Sequence, residues 1–442
     1  MRDLSNRNLP KILVISASSI SRHCATGITL CNLFSGYPAD RIAQIYDDTV
    51  DPDSVCCGRH FRFSSADIPM VGAGKRLLRR LRSQRRRLTS ADVGRSVQAA
   101  SNSVSRGLLG ALGDIFPFAL PSDLRAWVED FGPQIIYTPL GSVRMMSLVL
   151  KISVLLRIPV VPHFMDDWPM SEYADSWPQV VPKRILAAKL DAVLARSPIG
   201  LTISEDMSVE YGQRYGGQFK DFMNCIDLAP VVVGECDVAG RLVQFAYIGG
   251  LHLNRWKGIA DVARALQSLE DRGVPVALEI YAPEHDIAVY RHIYESYSVV
   301  KRLSTLGAAD ACRKMLEVDV LIHVESFLPE DAARTRLSIS TKIPQYMAAG
   351  KPILAYGPDG LSSIRYIERC GSGLTVTRVG DILLLESIGA QLAESSSLRF
   401  NLGMMGRAVA EVRHSQPKVS TAFRAVMAAA AQQRECGEHA SV

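Results

Sequence analysis

The stretch Ser338-Ile-Ser-Thr-Lys-Ile-Pro-Gln-Tyr-Met-Ala-Ala-Gly-Lys-Pro-Ile-Leu-Ala-Tyr-Gly-Pro358 decides how this chain is read. It predicts a hydroxyl-rich loop, a short helix beginning near Thr341, a stop at Gly350 and a buried strand from Pro352 to Tyr356. Ser340 or Thr341 suits the cap, and Pro344 falls in the first turn, where amides have no intrahelical partner to lose. Gly350 suits the left-handed position that closes a helix. Free amides, the hydroxyls of Ser340 and Thr341, a positive dipole end and the Lys342 ammonium together suit a phosphate or diphosphate. The same pattern also fits an ordinary αβ connection of a parallel sheet.

Working outward, the chain alternates short apolar runs with helical patterns. Lys11 to Ser16 reads as a first strand, Ile42 to Tyr46 as a second, Gln134 to Thr138 and Pro159 to Pro162 as later ones. Helices are expected over Ile28 to Phe34, Ser122 to Asp130 and Ser142 to Leu156. Residues 51–120 are irregular and rich in Arg, Ser and Gly, and are expected to be an insertion of loops and helices. After about residue 241 the alternation resumes with strands at Leu242 to Gly249, Val276 to Tyr281 and Val318 to Val324. This is the pattern of βαβ units and doubly wound sheets.

Several short motifs sit where strands end, which is where open α/β sheets bind ligands. His163, Asp166 and Asp167 follow the strand at Pro159, although two adjacent aspartates also fit a simple turn cap. Gly249 and Gly250 end the strand at Leu242, with Arg255, Lys257 and a helix close behind. Glu325 ends the strand at Val318. Gly27 lies in the loop after the first strand.

These motifs resemble the family 4 type of GT-B glycosyltransferases, most closely its branch with a Ser-Lys or Thr-Lys pair in the diphosphate loop. The Met-Ala-x-Gly-x-Pro turn, the Lys257-Gly258 pair, Ser204-Glu205-x-Met207 and the Asn224 to Asp227 turn carry the resemblance. It implies an α/β chain with two Rossmann-like doubly wound domains facing an interdomain cleft. The first spans about residues 1–230 and the second 241–415, with residues 416–442 forming a helix that returns to the first domain, plus a disordered tail. The family's Arg after the first glycine is here Gly250, with Arg255 as a substitute. Its two glutamates correspond to Gln345, which can still bond a ribose hydroxyl, and to Leu337, which cannot replace a carboxylate.

The resemblance therefore implies donor contacts from Gly249, Gly250, Arg255, Lys257, Glu325, Ser340, Thr341, Lys342 and Gln345. It implies catalytic groups from His163, Asp166 and Asp167, and Gly27 on the acceptor side. The implied activity is hexosyl transfer from a nucleotide-sugar donor to a saccharide or lipid-linked saccharide, with retention of configuration, no metal and no cofactor, in surface polysaccharide synthesis. An epimerase using the same donor pocket and a non-catalytic nucleotide-sugar-binding subunit are the alternatives.

Length and composition bound these readings. A chain of 442 residues with 48% hydrophobic and 21% charged residues suggests two globular domains. Nine cysteines, with no Cys-x-x-Cys, fit a reducing cytoplasm better than a disulfide framework. The longest apolar stretch, from Met145 to Phe164, is broken by Lys151, Arg157, Pro159 and Pro162, so no membrane span is expected. The formal net charge is +5, and eight basic residues lie between Lys75 and Arg87 without an acid. With Leu77, Leu81 and Leu88 at helical spacing, this run suits an anionic membrane surface at the inner face of the cytoplasmic membrane, or a solvated helix face. No aromatic residues interleave the run, and nucleic acid is not an expected partner.

Overall fold

The structure, a computed structural model, describes residues 9–22, 25–63, 118–172, 180–228 and 240–438. The basic run from Lys75 to Arg87 lies outside them. The chain divides into two compact units. Unit 1 is 1–202, 208–221 and 420–442, and unit 2 is 203–207 and 222–419.

Among the described residues, unit 1 holds seven parallel strands: β1 (Ile12–Ser16), β2 (Ile42–Tyr46), β3 (Arg59–Arg62), β4 (Ile135–Thr138), β5 (Val160–Phe164), β6 (Gly200–Thr202) and β7 (Phe219–Asp221). Their order in the sheet is β3-β2-β1-β4-β5-β6-β7. Strands β1, β2, β4 and β5 are buried at every position, as expected when helices cover both faces of a parallel sheet. The helices are α1 (Ala25–Leu33), α2 (Ser122–Phe131), α3 (Val143–Leu156), α4 (Trp168–Ser171), α5 (Val180–Leu194) and α6 (Glu205–Tyr215).

Strand β3 corrects the expectation of loops and helices throughout 51–120. Its residues alternate between half-buried and exposed, and Phe61 packs on Trp127 with ring centroids 5.5 Å apart. A short, charged, half-exposed strand is the form an edge position favours, and it has too little apolar content to stand out in sequence.

Among the described residues, unit 2 holds six parallel strands: β8 (Val243–Ile248), β9 (Val276–Tyr281), β10 (Val300–Ser304), β11 (Val320–Val324), β12 (Ile353–Tyr356) and β13 (Gly373–Val376), in the order β10-β9-β8-β11-β12-β13. The side chains of β8 alternate between two cores. Phe245 and Tyr247 join one with Ile259, Leu266 and Leu385, whereas Ala246 and Ile248 join the other with Ile343, Tyr346 and Ile364. The helices are α7 (Arg255–Asp271), α8 (Glu284–Tyr294), α9 (Ala308–Glu317), α10 (Pro329–Thr335), α11 (Lys342–Ala348), α12 (Ser362–Arg369), α13 (Ile382–Glu394) and α14 (Ser396–Val409).

The last helix, α15 (Gln416–Glu438), starts in unit 2 and continues in unit 1. There Phe423 is fully buried, edge-on to Phe34 and Tyr137 at centroid distances of 5.1 and 5.4 Å. Such aromatic pairs each add about 0.5–1.5 kcal/mol beyond their buried area.

Candidate functional site

In unit 2, β8 lies between β9 and β11, so the strand order reverses beside it. The crevice at such a switch point, outside the carboxyl ends of the strands, is the expected ligand position of an open α/β sheet. Gly249 and Gly250 leave β8 at this edge and Glu325 leaves β11. The glycine loop is fixed from both sides: the Tyr247 hydroxyl donates to Gly250 O at 2.6 Å, and the Leu251 amide donates to Asp286 Oδ2 at 2.7 Å. A Cβ at Gly250 would come within 2.4 Å of His252 Nδ1. The imidazole thus fills the space that an arginine at that position would need.

The resemblance implies donor contacts from Arg255 and from Glu325. The two side chains bind each other. Arg255 Nη2 donates to Glu325 Oε2 at 3.0 Å and Arg255 Nε to the same oxygen at 3.3 Å, with side-chain exposures of 17% and 4%. Beneath the pair His323 Nε2 lies 3.4 Å from Glu325 Oε1, and burial, aided by the charge of Arg255, pushes the His323 imidazole down to about 4. The ion pair offsets the charge of Arg255, so it does not stand as an isolated cation beside the glycine loop. Lys257, by contrast, is exposed, with Nζ 5.5 Å from the Trp256 ring centroid.

The stretch at 338–350 folds largely as expected, with one consequential difference. Thr341 precedes the helix, Pro344 lies in the first turn and Gly350 is left-handed at φ 66°. However, Thr341 makes no side-chain cap, and the first helical amides are not free. Lys342 N donates to Ser340 Oγ at 3.3 Å, Ile343 N donates to Ser340 O at 3.1 Å, and Pro344 has no N–H. Free amides remain one step earlier, where those of Ser340 and Thr341 donate to no group among the described residues.

Three polar groups along this stretch have no partner among the described residues. Lys342 is half-buried and forms no ion pair with any described residue. Burial accordingly holds its ammonium below the usual lysine value. Gln345 Oε1 and Ser338 Oγ are buried without a hydrogen bond to any described residue. The stretch is anchored beside the glycine loop by Tyr346, whose hydroxyl donates to Ile248 O, the last carbonyl of β8, at 3.1 Å. Asn224 Nδ2 donates to Thr341 O at 3.3 Å, and Ser204 Oγ donates to Leu337 O at 2.7 Å. The Leu337 side chain is 1% exposed, so a carboxylate there would be buried in the core.

In unit 1 the expected catalytic trio is divided. His163 lies within β5, fully buried, and its Nδ1 is 2.7 Å from the equally buried Tyr137 hydroxyl. Asp167 is 2% exposed and clamped: Arg214 Nη1 and Nη2 donate to its two oxygens at 2.8 and 3.2 Å, and the Tyr211 hydroxyl donates at 2.9 Å. Both side chains are buried and hydrogen-bonded within unit 1. Asp166 alone is half-exposed. At Gly27 a Cβ would lie 2.2 Å from Ser21 O. It is a close-packing position against the loop after β1.

The carboxyl ends of β1 and β2 instead border a cavity of about 240 Å³, at the reversal of strand order between β1 and β4. Its wall is mostly apolar, with Tyr46, Phe63 and Met145, and Arg144 Nη2 pairs with Asp47 Oδ2 at 3.1 Å on its lining.

No protein-family model matches the sequence, and neither does any curated protein. The structure does match solved structures. An α,α-trehalose 6-phosphate synthase from Burkholderia multivorans superimposes with a TM-score of 0.59 at 11% identity, over 97% of this chain and 98% of that one. WaaG, a glycosyltransferase involved in lipopolysaccharide biosynthesis, gives 0.54 at 10% identity, over 93% and 99%. The trehalose-6-phosphate synthase OtsA gives 0.55 at 11%, over 94% and 98%. This chain has the GT-B fold. At such low identity the likeness fixes the GT-B architecture and leaves its chemistry to the residues.

Sequence reasoning missed His323, Asp47 and Arg144. Asp47 and Arg144 gave no motif, because their pairing joins distant segments. His323, inside an apolar strand and two residues before Glu325, was the one visible signal.

Proposed function

We propose that the protein is a glycosyltransferase that takes its sugar from a nucleotide-diphosphate donor bound at the carboxyl edge of the unit 2 sheet. The observation that carries this reading is Lys342, a half-buried ammonium without a counter-ion among the described residues, on a helix tied through Tyr346 to the end of β8. A buried cation is costly unless paired, and a diphosphate would pair it. The amides of Ser340 and Thr341 and the exposed Lys257 would add donors and charge, stabilising the negative charge that develops on the leaving group. Gln345 Oε1, buried without a partner, suits a ribose hydroxyl. The Arg255–Glu325 pair would shape the pocket and leave phosphate binding to the lysines.

We place the acceptor in unit 1, in the cavity beside Asp47 and Arg144. A carboxylate and a guanidinium side by side suit sugar hydroxyls, and the apolar wall suits a ring face or an attached hydrocarbon. With the basic run from Lys75 to Arg87, this favours a lipid-linked saccharide acceptor at an anionic membrane, with transfer of a hexosyl group in polysaccharide assembly and retention of configuration. Among the described residues no helix is long and apolar enough to cross a membrane.

The test is thermal stabilisation by a panel of sugar nucleotides, followed by product analysis of the stabilising donor with saccharide and lipid-linked acceptors. Donor-dependent extension of an acceptor is expected. Conversion of the donor to an isomer without acceptor, or binding without turnover, would overturn the assignment. Sedimentation with anionic vesicles, with and without the arginines between Arg76 and Arg87, tests the membrane component.

A further inference from the structure

The loop from β8 to α7 is strained at two successive positions. Leu253 and Asn254, neither a glycine, lie in the left-handed region with φ of 53° and 52°. Such residues persist where their surroundings over-determine them, and they cluster at ligand-binding loops. Asn254 stands in the cap position of α7, where an asparagine usually turns its side chain onto a helix amide. It makes no cap bond. Its Nδ2 instead donates to Asp331 Oδ2 at 2.9 Å, and Asp331, 9% exposed in α10, also accepts from Ser326 Oγ at 2.8 Å.

This contact joins the loop after β8 to the segment after β11, the two strands that border the switch point. The next residue repeats the connection through Arg255 and Glu325. Lys257 N then donates to Asn254 O at 3.1 Å, so the position of Asn254 sets where the exposed lysine begins. We infer that Asn254 and Asp331 form a latch that holds the strained loop in its diphosphate-binding shape, which makes both of them positioning residues for the donor. The inference rests on the donor reading above.

Hydrogen exchange over residues 249–258 tests the latch without any ligand, in Asn254→Ala, Asp331→Ala and the double variant. Each single substitution should speed exchange of this loop while the strands of unit 2 stay protected, and the double variant should go no further than either single one. Binding of ADP, GDP and UDP by calorimetry supplies the second arm. The nucleotide that binds wild type should weaken about tenfold in Asn254→Ala, the size of one hydrogen bond to a carboxylate. Asn254→Gly, which tolerates the left-handed backbone, should lose less. Unchanged loop exchange in Asp331→Ala, or additive effects of the two substitutions, would overturn the latch. Faster exchange with unchanged affinity would overturn the positioning role. If none of the three nucleotides binds wild type, the donor reading fails and the positioning role with it, while the exchange arm still decides the latch.

Discussion

Replacing Arg255 with methionine tests the ion pair that the structure sets at the switch point of unit 2. Glu325 is 4% exposed and Arg255 17%, so neither charge has water as a ready substitute. Breaking a buried pair from one side costs about 3–5 kcal/mol, because the remaining charge stays desolvated, whereas replacing both partners with apolar groups is often neutral. Arg255→Met should therefore destabilise unit 2 by about 3–5 kcal/mol, and Arg255→Met/Glu325→Leu should recover most of it. Urea unfolding followed by hydrogen exchange in β8 and β11 is the appropriate assay, since the two units need not unfold together. His323 supplies an independent readout. The Arg255 charge helps depress its imidazole and Glu325 opposes this, so removing Arg255 should raise the value from about 4 when followed by NMR. Equal destabilisation in the single and double variants, with an unmoved His323, would refute the pair as described.

Further outcomes follow from other positions. His323 and His414 are both held near 4 by burial, below an unfolded value of about 6.5. The unfolded chain binds more protons between those values, so stability present above pH 6.5 is lost as the pH falls towards 4, by about 3 kcal/mol per histidine. An equally steep loss of urea midpoint in a His323→Gln/His414→Gln variant would count against this. Gly258→Ala places a Cβ 2.4 Å from Val324 Cγ1, where α7 crosses the sheet, and should cost about 1–3 kcal/mol in thermal unfolding. A melt identical to wild type would show that the helix has room to move. Met145→Trp should fill the unit 1 cavity and suppress acceptor turnover while leaving nucleotide binding intact. Normal turnover would place the acceptor elsewhere.

The alternation of buried strands and helices was legible because parallel strands covered on both faces are continuous apolar runs, as at Ile12–Ser16 and Val320–Val324. Edge strands such as Arg59–Arg62 escaped, since half-exposed positions carry no such run. The stop at Gly350 and the first-turn Pro344 were visible because backbone geometry dictates those residue types locally. Site chemistry was less legible for a reason the Arg255–Glu325 pair illustrates. Each residue alone is a plausible ligand contact, and only their distance shows that they are spent on each other. The same holds for His163 and Asp167, whose bonds to Tyr137 and Arg214 join segments distant in sequence.

The most direct test of the central claim is calorimetric titration of wild type and Lys342→Met with ADP, GDP and UDP. Lys342 now contributes a desolvated, unpaired charge, so the variant should fold with undiminished stability. It should bind its nucleotide at least about tenfold more weakly, as expected for a lost charge-assisted contact to phosphate. Burial depresses the Lys342 ammonium, so wild-type affinity should also decline as pH rises through the alkaline range before an ordinary lysine would titrate. Equal affinity in the two proteins, or no binding of any of the three nucleotides, would contradict the assignment of this edge of unit 2 as the donor site.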